Sequence, residues 1–314
     1  MNKDRNDLPL VSICMSSYNN AKFVLRTLQS IQKQTYKNIQ LVIVDDCSVD
    51  NSVELIDQWL ASTDTKCCFV KHERNMGVCR VANQMIENSL GKYMSIIASD
   101  DIMMPEKIER QVAEFEQLTA DYGLLYSDVY VIDENDNILN DIVLKSQLPE
   151  FVVSREEIFI ELLKSNFIPG VTVLIRVDAM REVGGFDEEL FYDDWDMWLR
   201  ISKLYKVHYS SFISAKYRVL STSMWHSRSV KFYEATIKLL SKHLGYSEIG
   251  DKIINDNINE NAELIYKNGG ALTAKWLKQR WQNQHSPTAA MLYIMAVLHL
   301  PYSAFERLRK LLGK

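Results

Sequence analysis

The sequence lacks the short motifs that mark several large enzyme classes. It contains no GxGxxG or GxxxxGK[ST] phosphate loop, no GxSxG nucleophile motif and no HExxH zinc motif. Dinucleotide-binding dehydrogenases, P-loop proteins and many hydrolases use such motifs to hold phosphates, activate a serine or bind zinc. Their absence argues against all three classes.

Cysteine is scarce and is not spaced as a framework. The five cysteines are an odd number and include no CxxC pair, which argues against a disulfide scaffold, a zinc ribbon and a thioredoxin-like site. Cys14 lies in an apolar run, and we expect it to be buried. The sequence begins MNKDRNDLP, and no apolar segment follows these charges. We therefore expect no secretion signal and a reduced, cytoplasmic location.

The sequence has no excess of positive charge. It carries 36 Lys and Arg against 41 Asp and Glu, and its hydrophobic share of 47% is ordinary for a globular protein. Nucleic-acid binding needs clustered basic residues, so we expect no nucleic-acid partner. The basic residues are nevertheless uneven, because residues 275–314 contain seven Lys or Arg and one acid, Glu306. This imbalance favours a partner for the C-terminal segment.

No apolar run is long enough to cross a bilayer. Residues 289–300 are nearly all apolar, but this is about a dozen residues, whereas a spanning helix needs roughly 20. Pro301 interrupts the run, and residues 305–312 follow with amphipathic helical spacing. Two interpretations stay open: an interfacial anchor at the inner face of the cell membrane, or a terminal helix packed on the body. A homo-oligomer contact is a further alternative.

The first hundred residues alternate between strand and helix patterns. Short apolar runs predict strands at residues 10–15, 39–44, 68–70 and 93–97. Helical apolar spacing between these runs favours right-handed crossovers and a mostly parallel sheet flanked by helices. Pro105 is expected to begin the helix that follows the fourth strand. The second half is less regular, with short strands predicted at residues 207–211 and 213–219, and from about residue 232 onward the pattern is mainly helical. The fold class expected is α/β, with a helical C-terminal extension.

Acidic side chains follow two of the predicted strands, at the sheet edge where open α/β folds bind ligands. Asp45 and Asp46 follow the second strand, and Asp100 and Asp101 follow the fourth. The first pair could accept from a base N–H or a ribose hydroxyl, and the second suits Mg²⁺ or Mn²⁺ that bridges substrate phosphates. Aspartates also cap helices and close turns, and a helix cap is the stronger explanation of Asp100-Asp101 taken alone.

A third acidic segment begins a predicted helix in the second half. Asp193, Asp194 and Asp196 surround Trp195. A carboxylate here could serve as general base for an acceptor hydroxyl, beside a tryptophan that stacks on a sugar. The alternatives are a favourable charge at a helix N-terminus and packing of the tryptophan in the core. His226 is either a metal ligand or a structural histidine.

In their order along the chain, residues 9–227 resemble the family-2 glycosyltransferases, which have the GT-A fold. The segments that carry the resemblance are Val11-Ser12-Ile13, Ser17-Tyr18-Asn19, Gln34-Thr35-Tyr36-Lys37-Asn38-Ile39, Val44-Asp45-Asp46-Cys47-Ser48, Asp50-Asn51-Ser52, Asn75-Met76-Gly77, Asn83, Gly91-Lys92-Tyr93, Asp100-Asp101, Pro105, Lys107-Ile108, Gln111, Gly184-Gly185-Phe186-Asp187, Asp194-Trp195-Asp196-Met197-Trp198-Leu199-Arg200 and Tyr217-Arg218. No single segment is decisive, but their order is characteristic of the family.

The resemblance implies a GT-A-type Rossmann-like sheet, mixed but mostly parallel, in a catalytic domain at residues 1–228. Residues 9–120 would form its nucleotide-binding half and residues 121–228 its acceptor half, followed by a helical region at residues 229–314. Tyr18 and Asp46 would contact the nucleotide base, and Ser17, in the same loop as Tyr18, would also bind the nucleotide. The same resemblance places Arg74 near the base and Asp100 at the ribose.

The resemblance also implies a metal and a catalytic base. Asp101 would bind Mn²⁺ or Mg²⁺ on the donor diphosphate, with His226 as a further candidate ligand. Asp194 would deprotonate the acceptor hydroxyl for in-line attack with inversion. The remaining candidates for contact with the donor or acceptor sugar are Gly185, Asp193 and Trp195.

The chain departs from the common family pattern at a few positions. Met15-Ser16 stands where many members have Pro-Thr, and Asp193 where Glu is more common. Ala98 and Leu220 stand where many members have Asp and His, and neither side chain can bind a metal. We therefore expect metal binding to be weak or loosely selective, and to depend mainly on Asp101 and the donor phosphates, with His226 as a further candidate ligand.

The activity implied is transfer of a sugar from a nucleotide diphosphate sugar, UDP being favoured, to a glycan or a lipid-linked acceptor. Cell-surface polysaccharide synthesis is the expected setting. Two alternatives stay open: a nucleotide-binding scaffold protein that has lost catalysis, and a nucleotidyltransferase. The acids at positions 46, 100, 101 and 194 favour an active enzyme over the scaffold. The Asp194-Trp195-Asp196 segment favours glycosyl transfer, because nucleotidyl transfer needs no such base.

Overall fold

The structure, a computed structural model, describes residues 8–142, 155–190, 194–220, 229–269 and 273–311. Within these ranges, nine strands form one sheet. They are β1 (Val11–Ser17), β2 (Ile39–Asp45), β3 (Cys67–Lys71), β4 (Tyr93–Ala98), β5 (Ile102–Met103), β6 (Tyr122–Ile132), β7 (Ile138–Ile142), β8 (Leu174–Arg176) and β9 (Lys206–Arg218).

The strand order is β3-β2-β1-β4-β8-β6-β9-β5, with β7 paired to β6. The strands β1 to β4 pair in parallel, as helical crossovers require. In the second half, β8 runs antiparallel to β4 and β6, whereas β6 and β9 are parallel. The expected α/β fold with a mixed sheet is confirmed, and parallel pairing prevails in its first half.

Helices connect and cover the strands. Those preceding residue 220 are α1 (Val24–Gln32), α2 (Ser52–Ala61), α3 (Val78–Asn88), α4 (Lys107–Phe115), α5 (Arg155–Lys164), α6 (Val177–Glu182) and α7 (Asp194–Leu204). A short 3-10 helix spans Gly170–Thr172. The C-terminal helices are α8 (Val230–Ser241), α9 (Glu248–Lys267), α10 (Thr273–Gln284), α11 (Pro287–Val297) and α12 (Tyr302–Leu311).

The main core lies between the central strands and the helices that pack on them. β1 and β2 are largely buried, as parallel strands are when helices cover both faces of the sheet. On α4, Ile108, Val112 and Phe115 recur at helical spacing and are buried. Burial of each such side chain contributes about 1.5–3 kcal/mol, so the core holds the strand ends in fixed positions.

Two elements differ from the sequence expectation. The helix expected to begin at Pro105 begins at Lys107, where the Gln34 side chain accepts from the N–H of Ile108 (3.2 Å). The two strands expected at residues 207–211 and 213–219 are the single strand β9. A register irregularity, in which Ser127 pairs with Ser210 but Asp128 with Ile213, lets β9 continue along β6.

The chain divides into two compact units. One contains the described residues of Met1–Leu162 and Asn166–Leu220, and the other those of Leu163–Ser165 and Ser221–Lys314. The division expected at residues 1–228 and 229–314 stays a prediction. None of the helices within the described ranges has the length and apolar character that a bilayer crossing requires.

A buried lysine ties α4 to the sheet. The Nζ atom of Lys107 lies 2.6 Å from Ser95 Oγ, 2.9 Å from Gln111 Oε1 and 3.0 Å from Val173 O. Gln111 in turn donates to Thr172 O at the end of the short 3-10 helix (2.6 Å). Burial lowers the pKa of Lys107 to about 7, because a low-dielectric interior disfavours its charged form.

This lysine predicts a specific pH dependence of stability. The unfolded chain keeps Lys107 protonated up to about pH 10.5, whereas the folded chain releases the proton near pH 7. The free energy of unfolding should therefore rise with pH between these values, relative to the Lys107→Met variant, by up to about 1.4 kcal/mol per pH unit. Urea unfolding of both proteins from pH 6.5 to 10 measures the difference. A difference that is flat or falls with pH would contradict the assignment.

Candidate active site

The carboxyl ends of three strands lie side by side. In the sheet register Ser17 of β1 faces Asp45 of β2, and Ser16 faces Ala98 of β4. Two backbone hydrogen bonds extend this pairing just past the strand ends. Asp46 N donates to Ser17 O (2.9 Å), and Ser99 N donates to Ser16 O (2.9 Å). The loops that contain Tyr18, Asp46 and Asp100-Asp101 therefore leave the sheet at one edge.

Asp100 and Asp101 do not cap a helix. Strand β5 follows them directly, and α4 starts only at Lys107. The helix-cap explanation is therefore wrong. The carboxylate of Asp101 is buried and accepts from the backbone N–H of Arg218 (2.8 Å). The Thr27 hydroxyl donates to Asp101 O (2.7 Å), which fixes the backbone of the pair against α1.

Arg218 is the buried cation of this site. Its side chain is 0% exposed. The Nε atom donates to Asp100 O (2.7 Å) and Nη1 donates to Asp133 O (2.6 Å). The Nη2 atom forms an ion pair with Asp136 Oδ1 (2.6 Å), and the guanidinium lies 4.6 Å from the ring centroid of Phe23. One side chain thus joins the acidic pair, the β6–β7 turn and the start of α1.

The neighbouring positive charge of Arg218 does not fully compensate the negative charges of Asp100 and Asp101. Burial, followed by the charge of Asp100, raises the pKa of Asp101 well above its usual range, although Arg218 opposes this. Burial also raises the pKa of Asp100. A cation bound here would relieve both effects.

The residues present fit a divalent cation that takes most of its ligands from a substrate. Among the described residues no group of three His, Cys, Asp or Glu is placed to hold a metal. The carboxylates of Asp100 and Asp101 are hard oxygen ligands, and Mg²⁺ commonly adds phosphate oxygens and water to one or two of these. Ala98 contributes no ligand. His226, the other candidate ligand, lies outside the described residues.

Tyr217 links the acidic pair to Asp194. Burial, and then the charges of Asp101, Asp100 and Asp194, raise the pKa of Tyr217 above its ordinary value. All three carboxylates therefore act on this one phenol, which stays protonated at neutral pH. The sequence showed Tyr217 only as part of a matching segment and assigned it no role. Its position beside Arg218, near the end of a predicted strand, was the sequence feature that could have identified Tyr217 as a site residue.

Asp194 is the first residue of α7. Its Oδ1 atom accepts from Asn166 Nδ2 (3.0 Å), and a Cβ atom on Gly170 would lie 3.7 Å from its Oδ2 atom. The positive end of the helix dipole favours the ionised carboxylate. Trp195 is buried and donates from Nε1 to Leu162 O (2.7 Å). This tryptophan packs in the core, and its contact with a sugar stays a prediction.

Asp45 and Asp46 have different partners. Asp45 closes a local turn, since Oδ1 accepts from Ser48 N (2.8 Å) and Oδ2 from Ser48 Oγ (2.7 Å). The Oδ1 atom of Asp46 accepts from Met76 N (2.7 Å), and Oδ2 accepts from Gly77 N (2.9 Å). Asp46 thus holds the loop that follows β3. The local-turn alternative applies to Asp45 and not to Asp46.

The other candidates take several positions. Tyr18 is 48% exposed, whereas Ser17 is buried and its hydroxyl bonds to no residue in the described ranges. Arg74 is exposed, with Nε 3.4 Å from Met76 Sδ. Gly185 has φ +72°, and a Cβ atom there would lie 2.6 Å from Asn83 Oδ1. The backbone conformation and the close contact therefore explain why this position is a glycine, without a contact to a sugar. Asp193 lies outside the described residues.

A groove of about 740 Å³ lies beside this site. It is lined by β3, the following loop and α3, with Glu188 also contributing. Tyr18, Asp46 and Asp194 are not among its lining residues. Arg74, a candidate for contact with the nucleotide base, does line the groove, so the groove adjoins the candidate nucleotide-binding residues. We assign it no ligand.

The charge at Asp101 predicts a stability effect. The variant Asp101→Asn keeps an oxygen that accepts from Arg218 N but removes the repulsion with Asp100, so the ligand-free protein should gain stability. We expect Tm at pH 8 to rise by roughly 2–4 °C, the shift that about 1 kcal/mol produces in a domain of this size. Asp178→Asn, at an exposed position of α6, is the control. A fall in Tm for Asp101→Asn would contradict a carboxylate whose charge is unfavourable without a ligand.

A family model described as glycosyl transferase family 2 matches residues 12–184, which are 173 of the 314 residues. An uncharacterized glycosyltransferase of Methanocaldococcus jannaschii is 32% identical over 228 residues, covering 72% of this chain and 76% of that protein. An uncharacterized glycosyltransferase of Rickettsia felis is 34% identical over 211 residues (67% of this chain), but the match covers only 34% of its length. A putative colanic acid biosynthesis glycosyl transferase of Escherichia coli is 34% identical over 124 residues, 39% of this chain and 43% of that protein.

Two solved structures share the fold. The Staphylococcus aureus protein TarS, residues 1–349 in complex with UDP-GlcNAc, matches with a TM-score of 0.62 and 16% identity, over 91% of this chain and 79% of that chain. A mannosyltransferase of Pyrobaculum calidifontis in complex with GDP-Man and Mn²⁺ matches with a TM-score of 0.60 and 15% identity, over 98% and 85%. These likenesses confirm the GT-A fold. With the family match, they show that the chain belongs to glycosyl transferase family 2 and is a glycosyltransferase.

Proposed function

We propose that the chain moves a sugar from a nucleotide diphosphate sugar to a hydroxyl group, with inversion at the anomeric carbon. The observation that carries this proposal is the placement of Asp101, buried beside Asp100 at the edge of the sheet, and of a separate carboxylate, Asp194, at the first residue of α7. The pair would bind the donor, and the third carboxylate would act on the acceptor. This separation suits glycosyl transfer, in which donor activation and acceptor deprotonation need different groups.

The nucleotide would bind along the ends of β1, β2 and β4. Tyr18 and Asp46 would contact the base, with Arg74 nearby. Ser17 would also bind the nucleotide, and Asp100 would contact the ribose. The buried hydroxyl of Ser17 supports this, because it has no hydrogen-bond partner among the described residues. UDP is favoured, since TarS binds UDP-GlcNAc, and GDP is the alternative, since the P. calidifontis protein binds GDP-Man.

Asp101, with His226 as a second candidate, would hold a divalent metal, Mn²⁺ or Mg²⁺. When bound, the metal would supply a positive charge that stabilises the departing diphosphate. The complex of the P. calidifontis protein with Mn²⁺ supports a metal of this kind. Because Ala98 offers no ligand, we propose that binding is weak until the donor phosphates complete the site.

Asp194 would take the proton of the acceptor hydroxyl. The acceptor oxygen then forms a bond to the anomeric carbon as the bond from that carbon to the phosphate oxygen breaks, and the nucleoside diphosphate leaves. Asn166 holds one oxygen of Asp194 and orients the carboxylate. Gly185, Asp193 and Trp195 are the proposed neighbours of the sugars.

Two other functions are less well supported. A nucleotidyltransferase needs acids for metal but has no use for a separate acceptor base such as Asp194. A scaffold that has lost catalysis would have no reason to keep Asp101 at a cost in stability, because a neutral residue would fit the same hydrogen bond. Both alternatives predict no sugar transfer.

The proposed acceptor is a glycan or a lipid-linked saccharide, in the synthesis of a cell-surface polysaccharide. The E. coli relative, whose name refers to colanic acid biosynthesis, supports this setting. Such an enzyme would act in the cytoplasm or at the inner face of the membrane. Association of copies into a homo-oligomer stays a prediction.

The last two helices support contact with an anionic membrane surface. On α11, Ile294 and Val297 are about half exposed, at 54% and 48%. On α12, Leu308 and Leu311 are exposed one turn apart, among basic residues of the same helix. Apolar side chains next to Lys and Arg favour an anionic lipid surface.

The proposed roles of Asp194 as base and Asp101 as metal ligand predict that their variants lose different activities. Asp194→Asn should bind UDP with Mn²⁺ as the wild type does but lose transfer at least about 100-fold, the usual contribution of a general base. Asp101→Ala should lose the part of UDP affinity that depends on Mn²⁺. Calorimetry measures UDP binding with and without Mn²⁺, and a screen of sugar nucleotides measures transfer. Asp178→Asn, at an exposed position, is the control. Full transfer by Asp194→Asn would exclude Asp194 as the base.

The membrane proposal predicts binding that depends on lipid charge. The protein should sediment with vesicles of phosphatidylglycerol and phosphatidylcholine, but not with phosphatidylcholine alone, and less so at high salt. Leu311→Ser, at an 83% exposed position, should weaken sedimentation severalfold, because an apolar contact with the bilayer is lost. The matched control is Ile249→Ser on α9, which is 68% exposed. Equal effects of the two substitutions, or no sedimentation, would contradict the proposal.

A further inference from the structure

We propose that His72 is a positioning residue for the nucleotide: through Asp46 it orients the base-binding carboxylate and the loop at residues 72–77. The inference rests on the proposed role of Asp46 at the base. His72 belongs to none of the segments that carry the family resemblance.

The side chain of His72 lies between two partners from different elements. Its Nδ1 atom is 2.7 Å from Asp46 Oδ1, at the end of β2. Its Nε2 atom bonds to Gln84 Oε1 on α3. The backbone N–H of His72 also donates to Asp45 O (2.9 Å). The side chains of His72 and Asp46 are 12% and 7% exposed, so solvent competes little with the contact.

The carboxylate of Asp46 has its orientation set by three donors. Oδ1 accepts from His72 and from Met76 N, and Oδ2 accepts from Gly77 N. A carboxylate offers about four acceptor positions, so one position on Oδ2 remains for a base N–H. His72 and the two loop N–H groups decide where that position faces.

The same contacts set the shape of the loop. Gly77 has φ +89°, a conformation that non-glycine residues rarely adopt, and its N–H points to Asp46. Arg74 lies between His72 and Gly77, so its exposed side chain starts from a backbone anchored on both sides. Loss of the His72 contact would therefore move both Asp46, which is proposed to contact the base, and Arg74, which is proposed to lie near it.

The two hydrogen bonds of the ring favour the doubly protonated imidazolium. Both ring nitrogens face oxygen atoms, and only the charged form donates from both. Burial, the largest single effect, lowers the pKa of His72, but the hydrogen bonds to Asp46 and Gln84 and the charges of Asp46 and Asp45 together raise it above its ordinary value. The remaining charged residues that line the neighbouring groove are Lys71, Glu73, Arg74, Arg80, Glu87 and Glu188.

This arrangement gives donor binding a defined pH dependence. With its pKa raised above 6.5, His72 keeps its charge at pH 6.5 and loses it as the pH rises through the higher folded value. The ion pair with Asp46 is lost in the same interval. Nucleotide affinity should therefore fall as the pH rises above 6.5, and a variant without an ionisable side chain should not show this component.

Two variants of the full chain separate positioning from folding. His72→Asn keeps a donor near the position of Nδ1 but cannot reach Gln84 or carry charge, whereas His72→Leu removes every polar contact. We expect His72→Leu to weaken UDP binding in the presence of Mn²⁺ roughly tenfold, as loss of a hydrogen bond to a charged group does. His72→Asn should recover part of this loss, and the pH-dependent component should disappear in both.

Inorganic pyrophosphate with Mn²⁺ is the matched probe, because it has no base. Calorimetry should show its binding unchanged in both His72 variants, whereas general damage to the site would weaken it equally. Nucleotide binding by Asp46→Asn is measured in the same way, and binding of GDP is measured as well as binding of UDP. Weaker nucleotide binding in Asp46→Asn but not in His72→Leu would overturn this inference and leave the proposed function intact. Wild-type protein that binds neither nucleotide would overturn both.

Discussion

The proposed donor site depends on a buried cation, Arg218. Arg218 donates to Asp100 O (2.7 Å), forms an ion pair with Asp136 and covers Phe23, while its backbone N–H holds the Asp101 carboxylate. A buried charge is costly unless it is paired, and truncation of one partner of a buried pair commonly costs about 3–5 kcal/mol. Arg218 offsets part of the negative charge of the pair, and burial with the remaining repulsion still raises the pKa of Asp101. This unfavourable negative charge lies where a cation and a diphosphate are proposed to bind.

The sheet converts separate loops into one site. Parallel strands end at the same edge, so that residues far apart in sequence follow strand ends that lie side by side. Asp46 and Asp101 come from two of these ends, and Arg218 comes from the end of β9, which pairs with β5. Asp194 arrives separately, at the N-terminus of α7. The proposed donor-binding and base-supplying residues therefore stand on different elements, and loop changes at one need not disturb the other.

Sequence patterns predict the parts of this site that follow from local periodicity. Apolar runs indicate β1, β2 and β4, and the acids after them could be expected at one edge. The contacts that explain the site are not local: Arg218 reaches the backbone 118 residues earlier in the chain, and His72 meets Asp46 across 26 residues. Asp100-Asp101 taken alone indicated a helix cap, because the two-residue strand β5 has no periodicity to detect. Trp195 was ambiguous for a similar reason, since helical spacing does not say which face meets the core.

The central claim is that Asp101 holds the metal and diphosphate of a donor while Asp194 serves the acceptor. Crystals of the protein with UDP and MnCl₂ would test it directly, through the anomalous signal of manganese. The account predicts a manganese peak at coordination distance from a carboxylate oxygen of Asp101, with further ligands from the diphosphate and none from Asp194. Manganese bound by Asp194, or a diphosphate bound away from Asp101, would contradict it.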